Sequence, residues 1–120
     1  MILEVAILNI IPSKSDSFVG EFKKAETIIS SMKGYVSHEL RHCLENENRY
    51  ILMVKWETLE DHTIGFRQSD EYQEWKILLH HFYDPFPAVE HYQLADFQED
   101  IINDEMKNIW GDAPSNWDNV

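Results

Sequence analysis

The side chains able to do chemistry in this chain are six His, four Trp, five Tyr and six Phe in 120 residues, with a single cysteine, Cys43. Histidine titrates nearest neutrality and suits proton transfer, while Asn, Tyr and Trp supply donors for a developing negative charge. Asn9 and Glu4 are the clearly polar residues of a run rich in Ile, Leu and Val, MILEVAILNII, and lie on opposite faces of a strand. A carboxamide there costs stability unless hydrogen-bonded, and its same-face neighbours Ile7 and Ile11 offer no partner. A substrate carbonyl, a pocket water or a neighbouring backbone group would satisfy it. His38 and His42 spell HxxxH, but on a strand they lie about 13 Å apart and do not converge on one ion. His80 and His81 open the densest aromatic run, HHFYDPF, and point about 100° apart if helical, so at most one faces inward. With Trp75, Leu79 and Phe82 on one helical face, Tyr83 and one of these histidines wall an aromatic pocket or simply complete the core. His91, on the last predicted strand, faces either that cavity or a subunit seam. No His and acid stand at an established ligand spacing and no cysteine pair exists, so no metal centre is expected. Cys43 has no identifiable base beside it, which leaves nucleophilic catalysis unsupported.

These residues need a scaffold, and 43% hydrophobic against 27% charged composition gives one globular domain. Ten Lys and Arg against 22 Asp and Glu leave a formal charge of -12. That surface repels phosphate backbones and anionic lipid heads, so neither nucleic acid nor membrane is an expected partner. One cysteine excludes an internal disulfide, and with no signal peptide or long apolar run the expected location is cytoplasmic.

The spacing predicts a central strand over residues 1–11, then a helix capped by Ser13 with a stripe of Phe18, Phe22, Ala25, Ile29 and Met32, closed by Gly34. Tyr35 to Leu44 and Arg49 to Glu57 read as a hairpin around Glu45 to Asn48. Thr58 caps a short helix through Phe66, Ser69 caps a second one, and the DPFP stretch ends it before a strand over Ala88 to Leu94. The order is that of a ferredoxin-like α+β fold, a four-stranded antiparallel sheet with helices on one face. Apolar residues on both strand faces predict a homodimer that covers the open side. Residues 1–97 form this domain. Residues 98–120, with six acids and one base, form an extension in which Ile101, Ile102, Met106, Ile109 and Trp110 suit one face of a short helix.

The succession ILEVAILN, GYVSHEL and WETLEDHTIGFRQSDEYQEW resembles the antibiotic biosynthesis monooxygenase domain family over about residues 2–96. The resemblance implies a dimeric α+β barrel with a pocket between the sheet and helices of each subunit. It further implies cofactor-independent oxidation of a small aromatic or quinol-type substrate by molecular oxygen, without metal or flavin. His62 then becomes the first candidate for the base, beside the pocket mouth, and Asn9 is the second candidate for a catalytic role. Phe66, Trp75, Leu79, His80, Tyr83, His38 and His91 are the candidates for substrate binding. A related branch degrades heme with a strand Asn, a Trp and a His. Here Asn9 is displaced, Phe66 stands at the Trp position and Lys76 near the His, with His80 and His81 one turn on. A non-catalytic small-molecule binding or stress-response protein on the same fold is the alternative from another class.

Overall fold

The computed structural model describes residues 1–95. The chain runs β1 (Ile2–Asn9), α1 (Ser15–Ile29), β2 (Tyr35–His42), β3 (Arg49–Trp56), α2 (Asp70–Leu79) and β4 (Val89–Tyr92). The strands make one antiparallel sheet in the spatial order β2-β3-β1-β4, the ferredoxin-like arrangement. β1 pairs with β3 without interruption from Ile2↔Trp56 to Asn9↔Arg49. On the covered face lie Glu4, Ala6 and Leu8 of β1 with Leu52, Val54 and Trp56 of β3, all buried. Phe18, Phe22, Ala25 and Ile29 of α1 pack on them, as the stripe in the sequence requires, together with Trp75 and Leu79 of α2. The other face carries Leu3, Val5, Ile7, Ile51 and Met53, none fully buried by the described residues, with Ile7 50% exposed.

Local chemistry explains where the elements depart from expectation. Ser13 does not cap α1. Pro12 lacks an N–H and has a fixed φ that suits the first position of a helical turn, so a 3-10 turn over Pro12–Lys14 precedes a helix that starts at Ser15 without a side-chain cap. Gly34 does not close α1, which ends at Ile29. It forms the turn into β2 with φ +84, and a Cβ there would lie 2.2 Å from the Asp61 side chain. Both the backbone conformation and the close approach require glycine. Ser69 caps α2 by accepting the Tyr72 N–H at 3.1 Å, and Thr58 Oγ1 accepts the Asp61 N–H at 3.1 Å. The helix that Thr58 opens widens into a π-helical turn at Asp61–Phe66, a geometry frequent at functional sites. β4 is shorter than expected, because only Val89 to Tyr92 pair with β1. The predicted extension at 98–120 lies outside the described residues. Among the described residues no helix is long and apolar enough to cross a membrane.

Candidate functional site

Strand register brings the key groups to one spot. Glu4 of β1 lies opposite Val54 of β3 on one side and His91 of β4 on the other, so all three project from the covered face. Above them the π-helical turn lowers His62 toward the sheet. Glu4 is 6% exposed and His62 3%, and they are the buried polar or charged residues of the described core. Trp56 Nε1–H donates to Glu4 Oε1 at 2.9 Å, and His62 Nε2 stands 3.3 Å from the same oxygen. The Trp56 indole stacks on the His62 ring with centroids 5.4 Å apart. On its far side His62 Nδ1 shares a 2.7 Å hydrogen bond with His91 Nε2. The three titratable groups are thus strung through opposite nitrogens of one imidazole. They do not converge on a point, and among the described residues no cluster of His, Cys, Asp or Glu is arranged to hold a metal ion.

Beneath the helices a cavity of about 420 Å³ opens on these groups, within the usual range of ligand sites. Phe66, Trp75, Tyr72, Tyr83 and Phe86 supply aromatic walls, Ala6, Leu8 and Val89 an apolar floor, and Arg67 and His80 further polar groups. Since Oε1 of Glu4 takes both contacts, Oε2 is left to the cavity that Glu4 lines.

Burial dominates the electrostatics. Desolvation raises Glu4 from 4.5 to about 7, against the smaller opposing effects of the Trp56 hydrogen bond and the Arg67 charge. Desolvation, then Arg67 and His91, lowers His62 to about 3. The close Glu4–His62 contact is therefore not an ion pair near neutral pH: His62 stays neutral and Glu4 titrates. Burial, with Arg67 second, also lowers His91. Tyr83 is raised by burial and by Tyr72 and Glu4, so its phenol remains a donor. Tyr72 is raised chiefly by burial, and His80 is lowered by burial and Lys76.

Of the residues singled out in the sequence, His62, Phe66, Trp75, His80 and Tyr83 line the cavity. His91 reaches it through its bond to His62. Leu79 is fully buried in the core behind the lining. Asn9 is placed elsewhere: its parity puts it on the open face, where its Oδ1 accepts the Arg49 Nε–H at 2.9 Å across the β1–β3 pair. His38 is likewise outside the lining, held between the Tyr35 hydroxyl and, at 2.9 Å, Glu26 of α1. Glu4, Arg67 and Tyr72 also line the cavity, and the sequence does not mark them as site residues, although Tyr72 shares the helical face of Trp75 and Leu79. The signal for Glu4 was an acid sharing strand parity with Ala6 and Leu8.

A ferredoxin-like domain with an aromatic cavity between sheet and helices is the class of protein this geometry defines. The chain belongs to the antibiotic biosynthesis monooxygenase family, whose model matches residues 1–76. It is similar to the uncharacterized protein YczJ of Bacillus subtilis (strain 168), 56% identical over 93 residues that make up 78% of this chain and 98% of the relative. A crystal structure from Bordetella bronchiseptica, provisionally described as an antibiotic biosynthesis monooxygenase, is 31% identical with a TM-score of 0.74, covering 78% of this chain and 96% of that one. The fold also matches SnoaB of Streptomyces nogalater, a cofactor-independent oxygenase, at 14% identity and TM-score 0.62 over 79% of this chain and 93% of that one.

Proposed function

We infer that the protein is a cofactor-independent monooxygenase that oxidises a small, flat aromatic or quinol-type substrate with molecular oxygen inside this cavity. The observation that carries it is the Glu4 carboxyl, 6% exposed and lining a cavity with aromatic walls, where burial raises it to about 7. A base of that strength is matched to work near neutral pH. His62, lowered to about 3, is too weak a base for the role that its position in the sequence suggests. Glu4 Oε2 takes a proton from the substrate, and the Tyr72 and Tyr83 hydroxyls and Arg67 stabilise the resulting anion. The anion passes one electron to oxygen, the radical pair combines in a C–O bond, and loss of the second proton from that carbon cleaves the O–O bond. One oxygen atom remains as a carbonyl and the other leaves as water. The substrate supplies all the electrons, so no further reductant is involved.

The test is oxygen uptake by the purified protein with a panel of hydroquinones and anthrones. Uptake that converts anthrones to anthraquinones and hydroquinones to hydroxyquinones, with one water formed per oxygen consumed, is the expected result. A hydroquinone turned only into its quinone with release of hydrogen peroxide would mean no oxygen insertion. Saturable thermal stabilisation by these compounds with no uptake would instead define a binding module. A Soret band on adding hemin, lost on replacement of His80, would move the protein to the heme branch.

The working unit in this proposal is a homodimer joined through the open sheet face. Leu3, Val5, Ile7, Ile51 and Met53 form an apolar strip there that a second copy would dry. Light scattering should give twice the chain mass for the parent and the single mass for Ile7→Glu, which sets a charge in the middle of the strip. A parent that already runs as a monomer would end the dimer proposal.

A further inference from the structure

We propose that Glu4, His62 and His91 form a proton relay that carries the proton removed from the substrate out of the cavity to solvent at β4. The source of that proton rests on the oxygenase reading, whereas the connectivity does not. His62 is held from both sides, with Nε2 toward the carboxyl at 3.3 Å and Nδ1 bonded to His91 Nε2 at 2.7 Å. A neutral imidazole has one N–H and one lone pair, so a proton arriving at one nitrogen is matched by a proton leaving the other. Glu4 and His62 are almost wholly enclosed, while His91 sits half-buried on the edge strand, so the chain of three runs from interior to surface.

The transfers balance as follows. Glu4 Oε2 gains the substrate proton, and a half-turn of the carboxyl about Cγ–Cδ presents it to His62. The 3.3 Å gap is slightly long for a hydrogen bond and closes as the proton moves. The carboxyl O–H bond breaks as an N–H forms at His62 Nε2. The N–H at His62 Nδ1 passes to His91 Nε2, and His91 releases the proton on its Nδ1 to water. Glu4 is again a carboxylate, and both imidazoles have exchanged tautomers without becoming cations at rest. The same hops in reverse bring a proton from solvent back through Glu4 to the leaving oxygen, which completes the water and restores both tautomers for the next turnover. The groups facing this chain agree with neutral carriers. Arg67, following the π-helical turn, disfavours protonated His62 and His91. Trp56 from β3 offers Glu4 an N–H and no competing base, and the Tyr72 and Tyr83 phenols remain protonated. His80 is lowered by burial and by Lys76, so it is a neutral neighbour.

Nitrogen-15 spectra of histidine-labelled protein test the connectivity without any substrate. The expected result is a scalar coupling between His62 Nδ1 and His91 Nε2 across their hydrogen bond. With it, the proton on each ring should switch nitrogens at one shared midpoint, the Glu4 titration at about 7. No coupling, or tautomers that stay fixed through that midpoint, would overturn the relay. In turnover, His91→Phe should lower kcat by about 10²-fold with KM unchanged, and added imidazole should restore it. A kcat equal to that of the parent would also overturn it. Coupling and switching in a protein that oxidises none of the panel would support the relay while removing the oxygenase reading.

Discussion

Glu4→Gln is expected to be about as stable as the parent near pH 4 and about 3 kcal/mol more stable near pH 8, while its oxygen uptake falls by about 10²–10⁴-fold. The folded carboxyl titrates at about 7 instead of 4.5, so between these values the unfolded chain has ionised while the folded chain still holds its proton. The folded state then binds more protons than the unfolded one, and stability declines as pH rises through this window. Each unit of displacement is worth about 1.4 kcal/mol, which sets the size of the gain. Glutamine imitates the uncharged acid, since its oxygen can keep the place of Oε1 beside the Trp56 N–H and His62 Nε2 while its NH2 takes the place of Oε2, but it cannot take a proton. His62 has the opposite sign. Lowered from 6.5 to about 3, it costs stability as pH falls through that range, in both proteins, so the comparison at equal pH isolates Glu4. Denaturant titrations at several pH values measure the difference, and parallel curves for the two proteins would show that Glu4 is not held as a buried acid.

Trp56→Ala should lower stability by about 3–5 kcal/mol, the usual cost of emptying a fully buried aromatic site. The indole is 0% exposed, stacks on His62, and meets Phe66 and Tyr35 with ring centroids 5.8 and 6.3 Å away. Trp56→Phe separates packing from hydrogen bonding: the ring persists, Glu4 loses its donor, and the carboxyl midpoint moves further above its present value of about 7. Carbon-13 detection of the carboxyl reads that movement. A midpoint that falls, or stays, in Trp56→Phe would mean that the indole N–H does not stabilise the ionised form.

The scaffold was written in the chain more plainly than the chemistry. Phe18, Phe22, Ala25 and Ile29 recur at helical spacing and all are buried, and the Ser69 cap forms as its position suggests. Such signals are local, and each is decided by a few neighbouring residues. Glu4 and Asn9 both interrupt an apolar strand, on opposite faces, and parity alone does not say which face the helices cover. The sheet is apolar on both sides, so parity by itself favours neither Asn9 nor Glu4. That choice is made by the packing of α1 and α2, through contacts distant in sequence. His62 and His91 illustrate the same limit: they are 29 positions apart and meet only because β4 returns beside β1.

The pairing of β4 carries a liability of its own. This strand is tied to β1 by four residue pairs, Leu3↔Tyr92 to Ala6↔Val89, and has no neighbour on its outer side among the described strands. Side chains alternate across a strand, so a one-residue slip would turn His91 outward and Tyr92 inward. Adding or deleting a single residue between α2 and β4 would cut the wire at its surface end while sparing most of the hydrophobic interior. The margin of the sheet, the part most easily frayed, holds the outlet of its most enclosed acid.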